Sequence, residues 1–293
     1  MMQTAKYVKR KLYRLKRTIL YPTMRNKWLF YFRFGWRQRL TLRFDRFKLY
    51  FNTHSWTSKI LFFPGAADGR VYEFPVASIL QQNCLPNSCV LDVGANIGFY
   101  SILAAKLCSA GEVHAFDIDP DLIYEIQHNV VLNALQNVYL TCAAIWDTDE
   151  NIFTFRPHMQ SFNKTTNSIL PFSVTDFGIP TLTLDSYCRQ LKIQPDIVKI
   201  DVEGAEIKVL RGMCHALNNV RIILLEIHPD LIERLGDSMP DLINILDSYN
   251  FRISVLENHR NTSECRLLSS GEVIHLKKNC LLLCENNEYT ISR

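Results

Sequence analysis

From residue 71 onward the chain alternates short, continuously apolar runs with stretches of helical period. Val71–Asn83 carries apolar residues at helical spacing, and Val90–Val93 is a compact apolar run that suits a buried strand. Ile97–Leu107 reads as a helix, Gly111 breaks it, and Glu112–Phe116 makes a second strand ending at Asp117. Asp121–Asn133 follows as a helix and Asn137–Ala143 as a third strand. The beat is then interrupted. Residues 148–182 are polar, contain Pro157, Pro171, Gly178 and Pro180, and suit a hairpin or insertion better than a crossover helix. Regularity returns with a helix over Leu184–Leu191, a strand over Ile197–Asp201, a helix over Glu203–Leu217 and a strand over Arg221–Ile227. Pro240–Tyr249 is one more helix, with Phe251–Leu256 and Val273–Leu283 as closing strands. Apolar runs without alternation, separated by helices, predict an α/β fold whose parallel sheet is buried on both faces.

The first 69 residues follow a different pattern. Val8, Leu12, Leu15 and Ile19 form an apolar stripe on a helix whose other faces carry Lys6, Lys9, Arg10, Arg14 and Arg17, and Pro22 ends it. Residues 37–63 alternate apolar with basic or polar positions, through Leu40, Leu42, Phe47 and Leu49, and predict short strands. Charge sharpens this division. Residues 1–50 hold 15 Lys or Arg and a single acid, Asp45, whereas the rest of the chain carries a net charge of −10. The predicted division is a basic extension over 1–69 and an α/β domain over 70–293. Residues 1–20 suit contact with an anionic membrane surface or glycolipid, or docking on the acidic remainder of the chain; nucleic acid ranks below these.

Composition excludes little else. The chain is 47% hydrophobic and 21% charged, ordinary for a globular protein, and no apolar stretch reaches the length of a membrane span. The basic start lacks the apolar core of a secretory signal. The nine cysteines are scattered and include no C-x-x-C pair, so free thiols are expected, in a cytoplasmic protein to which peripheral membrane contact is open.

Candidate chemistry gathers at the carboxyl ends of the strands. The stretch V-L-D-V-G-A-N-I-G-F-Y over Val90–Tyr100 is a strand, a tight turn and a helix start, and Gly94 and Gly98 would let a ligand approach its backbone N–H groups. It lacks the middle glycine of a dinucleotide fingerprint, and no phosphate-cradling G-x-x-x-x-G-K-[ST] is present. A nucleoside cofactor without a phosphate at the turn remains, and S-adenosylmethionine fits. Asp117, 23 residues after Gly94, is near the spacing at which an acid bonds ribose hydroxyls, and Asp92 could hold the amino group of the methionine portion. Asp119, before Pro120, is expected to cap a helix.

Two later strands also end in ionisable groups. In K-I-D-V-E-G-A-E, Lys199 and Asp201 share one face and Glu203 is expected to begin the next helix; in L-E-I-H-P, Glu226 and His228 share a face by the period of two. If these strands are neighbours, Asp201, Glu203, Glu226 and His228 gather into a general-base cluster for an acceptor hydroxyl. A divalent metal held there is the lesser alternative, and no metal is assigned.

The runs V-L-D-V-G-A-N-I-G-F-Y-S, F-D-I-D-P, T-L-T-L-D-S-Y, I-V-K-I-D-V-E-G-A-E-I-K-V-L-R-G and L-L-E-I-H-P, in this order over about residues 70–230, resemble an FkbM-type S-adenosylmethionine-dependent methyltransferase. The resemblance implies a class I methyltransferase fold, a seven-stranded Rossmann-like sheet of order 3-2-1-4-5-7-6 with one antiparallel strand. It implies methyl transfer to a hydroxyl oxygen, of a sugar, glycan or natural product. It places Asp92, Gly94, Asn96 and Gly98 at the methionine part of the cofactor, Asp117 at the ribose, and Ala144 and Asp147 near the adenine. Asp117 stands where glutamate is usual. A nucleic-acid methyltransferase using the basic N-terminus, and a non-catalytic cofactor-binding module, are the rival readings.

Overall fold

The computed structural model describes residues 39–43, 46–52, 74–155, 177–256 and 265–290. The helix expected over residues 8–19 and the loop 64–70 lie outside them.

The described chain opens with a hairpin, β1 (Arg39–Arg43) and β2 (Lys48–Asn52), paired antiparallel. The α/β alternation follows: α1 (Phe74–Asn83), β3 (Cys89–Val93), α2 (Phe99–Leu107), β4 (Glu112–Asp117), α3 (Pro120–Leu132) and β5 (Val138–Cys142). The interrupted region supplies β6 (Ala144–Ile145), β7 (Ile152–Phe155) and β8 (Phe177–Leu182), with β7 and β8 antiparallel as expected of a hairpin. Then come α4 (Leu184–Leu191), β9 (Ile197–Ile200), α5 (Glu206–Arg211), α6 (Cys214–Leu217), β10 (Ile222–Ile227), α7 (Pro229–Arg234), α8 (Met239–Ser248), β11 (Phe251–Leu256), β12 (Cys265–Leu267), α9 (Ser270–Ile274), β13 (Cys280–Asn286) and α10 (Asn287–Thr290).

The main sheet has the order β12-β11-β13-β10-β9-β3-β4-β5. Without β12 this is the expected 3-2-1-4-5-7-6 arrangement, and β13 is the antiparallel strand, paired with β10 on one side and β11 on the other. The sheet therefore has eight strands rather than seven, because the short β12 adds to the edge of β11. Alternating strand residues feed two cores. Val90, Val113, Ile197 and Leu224 pack with α2 on one face; Leu91, Phe116, Val198 and Leu225 pack with residues of α4, α5 and α8 on the other. Burial on both faces is why these strands read as continuous apolar runs.

Three expected boundaries shift for local reasons. The helix expected from Glu203 begins at Glu206, because Glu203 and Gly204 adopt left-handed backbone with φ 52° and 110°. That helix also stops at Arg211. A Cβ on Gly212 would lie 2.0 Å from the Trp146 carbonyl oxygen, so the chain is pressed against β6 there and restarts as α6. Val273 and Ile274 are helical rather than strand, since Ser269 and Glu272 form a capping box that starts α9.

The hairpin is fastened to the domain by two asparagines one turn apart on α3. Asn129 accepts from Tyr50 N at 2.6 Å and donates to Tyr50 O at 3.0 Å, while Asn133 accepts from Lys48 N at 2.7 Å and donates to Lys48 O at 2.6 Å. The two amides thus stand in for a neighbouring strand along the edge of β2. All nine cysteines are free thiols. Among the described residues, no helix is long and apolar enough to cross a membrane.

Candidate active site

Strand order reverses at β3, which pairs with β4 on one side and β9 on the other, and in open α/β sheets ligands bind beyond the carboxyl ends of the strands at such a point. The turn after β3 lies at that point. Its glycines are required by the fold itself. Gly94 has φ 77°, and a Cβ there would sit 1.8 Å from the Asp201 carbonyl oxygen; Gly98 has φ 80°, and a Cβ there would meet Ile126 of α3 at 2.9 Å. The turn's N–H groups, expected to face a ligand, are instead spent inside the chain. Gly94 N and Ala95 N donate to Phe116 O at 3.0 and 2.9 Å, Gly98 N donates to Ala95 O at 2.9 Å, and Asn96 N donates to Asp117 at 2.8 Å.

What the turn offers is side-chain acceptors. Asp92 is buried, receives the Ser101 hydroxyl at 2.5 Å, and faces the Lys199 ammonium at 3.5 Å. Asp92 Oδ1 and Asn96 Oδ1 are buried and have no hydrogen-bond partner among the described residues. Buried acceptors without a hydrogen bond, one of them already paired at 3.5 Å with the Lys199 ammonium, suit a ligand that brings donors, as the ammonium of S-adenosylmethionine does. Asp117 ends β4 and accepts from Asn96 N and from Asp119 N, the latter at 2.9 Å. Burial lifts its carboxyl from 3.8 to about 7, against the two backbone donors that hold it down. Asp119 caps α3 as expected, accepting from Asp121 N at 2.9 Å. Ala143 N reaches Asp117 O at 3.2 Å, so the next residue, buried Ala144, lies close to Asp117. Asp147 forms an ion pair with Lys208 of α5 at 3.2 Å.

The second set of candidates meets this turn from β9 and β10, which are neighbours. Lys199 is buried on β9 and joins the two halves: its ammonium lies 3.5 Å from both Asp92 and Asp201 and donates to Gly94 O at 3.3 Å. His228 follows β10 and is buried. Its Nε2 lies 3.5 Å from Glu203 Oε2, and its Nδ1 lies 2.8 Å from Glu206 Oε1. Burial pushes His228 down, but the Glu206 hydrogen bond and the charges of Glu203, Glu206 and Asp201 outweigh it and lift the ring from 6.5 to about 9. Burial also raises Glu203, with His228 opposing and Asp201 and Glu206 adding to the rise. The ligand atoms of Asp201, Glu203 and His228 lie within 4.8 Å of one another, a set that a divalent cation could share.

Glu226 is not in that set. It lies half-buried on β10 opposite Leu281, and after burial it is the cause that raises the Cys280 thiol. The unforeseen member is Glu206. It is completely buried, bonds His228, and also accepts from Gly204 N at 3.0 Å, so it fixes both the ring and the left-handed turn that carries Glu203.

Comparison with known proteins agrees with this organisation. Residues 92–253 match the family described as Methyltransferase FkbM domain. Hexuronic acid methyltransferase AglP of Haloferax volcanii is 28% identical over 158 residues, which is 53% of this chain and 62% of that protein, so the match spans less than two-thirds of the relative. Ribosomal protein L11 methyltransferase of Thermoanaerobacter pseudethanolicus is 46% identical over 59 residues, 20% of this chain and 19% of that protein. A crystal structure of an S-adenosylmethionine-dependent methyltransferase from Agrobacterium tumefaciens superposes with a TM-score of 0.45 at 11% identity, covering 85% of this chain and 70% of that one. With more than half of its length matched, the chain belongs to the FkbM methyltransferase domain family and carries an S-adenosylmethionine-dependent methyltransferase domain.

Proposed function

We propose that the chain transfers the methyl group of S-adenosylmethionine to a hydroxyl oxygen of a sugar, glycan or glycolipid. The observation that carries this reading is the buried Glu206–His228 pair beside the donor turn, with a nitrogen-to-oxygen distance of 2.8 Å. A hydroxyl is a weak acid and needs a base as its oxygen forms the new bond, and a histidine held by a buried carboxylate is suited to that work. The name of the relative AglP, a hexuronic acid methyltransferase, points to the same acceptor class.

In this reading Asp92, Gly94, Asn96 and Gly98 hold the methionine portion of the cofactor, Asp117 holds the ribose, and Ala144 and Asp147 border the adenine. The cofactor supplies an electrophilic methyl group, and the chain supplies position. Lys199 keeps Asp92 and Asp201 in fixed relation, which sets the distance between donor and acceptor. At neutral pH His228 carries both ring protons, so its Nε2 proton must leave before the acceptor's proton can take its place. Glu203, 3.5 Å away and partly exposed, is the neighbour that can carry it out. Asp201 orients the acceptor. The basic extension over residues 1–69, and above all residues 1–20, brings the domain at 70–293 to an anionic membrane or glycolipid surface.

The test is transfer from isotopically labelled S-adenosylmethionine to uronic-acid oligosaccharides and glycolipids, with RNA and protein as contrary acceptors, read by mass spectrometry. Label on a hydroxyl oxygen, lost in His228→Ala while calorimetric cofactor binding persists, is the expected result. Label on RNA or protein in place of every hydroxyl would overturn the acceptor assignment, and full turnover by His228→Ala would overturn the base.

A further inference from the structure

We propose a second ligand site at the opposite end of the sheet, where Cys89, Glu112 and His114 form a zinc site of one thiolate, one carboxylate and one imidazole. It is independent of the methyl-transfer reading. Register creates it: Cys89 of β3 lies opposite Glu112 of β4, and Leu91 lies opposite His114, so the three side chains share one face of the sheet. Their ligand atoms all lie within 4.8 Å of one another, and His114 Nε2 is 3.6 Å from Glu112 Oε2. Two light-atom ligands bonded to one tetrahedral zinc at about 2.0–2.1 Å stand only roughly 3.3 Å apart, so small side-chain rotations close the site.

The chemistry of the site points to a ligand as well. His114 is 1% exposed, and its Nε2 has no hydrogen-bond partner among the described residues. An orphaned ring nitrogen in the interior costs free energy that a bound cation would recover. Burial pushes this imidazole down to about 4, so at neutral pH the ring is uncharged. Nδ1 lies 2.9 Å from the Tyr187 hydroxyl, and in the tautomer that donates Nδ1–H to that oxygen, Nε2 presents its lone pair to Cys89 and Glu112. Metal-bound histidines are characteristically oriented through the second nitrogen in this way. The Tyr139 ring stacks on His114 with centroids 4.8 Å apart and holds its plane. Sulfur and imidazole donors select zinc over magnesium or calcium, and Glu112, about one-third exposed, gives a path of entry. The metal binds the thiolate, so the sulfur gives its proton to solvent on binding and affinity rises with pH.

Cobalt(II) titration of the metal-free chain tests the site. One equivalent is expected to bind with a sulfur-to-cobalt charge-transfer band and the ligand-field bands of a tetrahedral centre completed by water, distinct from any ion at Asp201, Glu203 and His228, which offer no sulfur, and zinc should displace it. Cys89→Ser should abolish the charge-transfer band. Tyr187→Phe should weaken binding roughly tenfold by releasing the histidine. Glu112→Gln, a partly exposed change expected to leave the fold intact by circular dichroism, should weaken it at least as much and decides the matter if Cys89→Ser does not fold. Failure to bind one equivalent, a charge-transfer band that survives in Cys89→Ser, or unchanged affinity in Glu112→Gln would overturn the site.

Discussion

Replacing Glu206 by glutamine removes one charge from the interior while keeping an oxygen that can accept from His228 and from Gly204 N. The structure sets the size of the effect. His228 is lifted from 6.5 to about 9 despite its burial, and at 1.36 kcal/mol per pKa unit the protonated ring is worth about 3 kcal/mol to the folded chain. Because the folded chain holds this proton more tightly than the unfolded one, the contribution is complete below about pH 6.5, shrinks as pH rises, and is gone above about 9. Glu203 and Asp201 remain in Glu206→Gln, but Glu203 is 43% exposed and so is better screened. His228 should therefore titrate at least one unit lower in the variant, since burial then meets less opposition. Proton NMR of the imidazole reads this directly, and urea unfolding at pH 6 and pH 9 reads its energetic consequence: the variant should lose most at the lower pH. If His228 is the base, the acidic limb of the pH–rate profile should move down with the ring, so that a larger fraction of the variant is competent at pH 7.5. An unmoved His228 titration would refute the electrostatic argument, and a shifted titration with an unmoved pH–rate limb would refute the base.

Three further outcomes follow from the geometry. Gly94→Ala forces a Cβ to 1.8 Å from the Asp201 carbonyl oxygen at a left-handed φ. It should cost about 3 kcal/mol or more, read as a lowered thermal midpoint with loss of cofactor binding. Asp117, lifted to about 7 by burial, is a better acceptor for ribose hydroxyls when ionised. Calorimetric affinity for S-adenosylmethionine should thus strengthen about tenfold from pH 6 to pH 8, whereas the unliganded fold should lose stability over the same rise because the folded chain holds that proton more tightly than the unfolded one. Asn129→Ala strips the partners from Tyr50 N, Tyr50 O and Ile97 O. It should cost roughly 2–4 kcal/mol, with faster hydrogen exchange at the Tyr50 amide than at sheet positions such as Leu224.

The centre of the sheet was legible because β3, β4, β9 and β10 are almost wholly buried and so read as continuous apolar runs between helices, whereas the edge strand β5 is only partly buried. The strand-end acids were legible for the same reason, since a charge that closes an apolar run stands out. What escaped depended on partners that only register supplies. Lys199 reads as one cation in an apolar strand, and nothing local reveals that its ammonium is shared between Asp92 and Asp201. Glu203 reads as helical because a glutamate ahead of an apolar periodic run normally starts a helix, whereas the following glycine permits the left-handed turn that displaces the start. Glu206 did leave a signal. With Val209 and Leu210 it falls on one helical face, and an acid on an otherwise apolar buried stripe calls for a buried partner. The start of α9 is likewise marked locally, because the Ser269 to Glu272 spacing is that of a capping box.

The contact between Gly94 and the Asp201 carbonyl, with Lys199 bridging the carboxylates on either side, bears on how such a protein can acquire new acceptors. If the donor lies over Gly94 and the acceptor over Asp201, as proposed, the floors beneath them are the same few backbone atoms. Substitutions that respace one would dislodge the other, so those positions are closed to drift in specificity. Diversification is left to residues that approach from above, on connections whose length and composition can change without disturbing the shared floor.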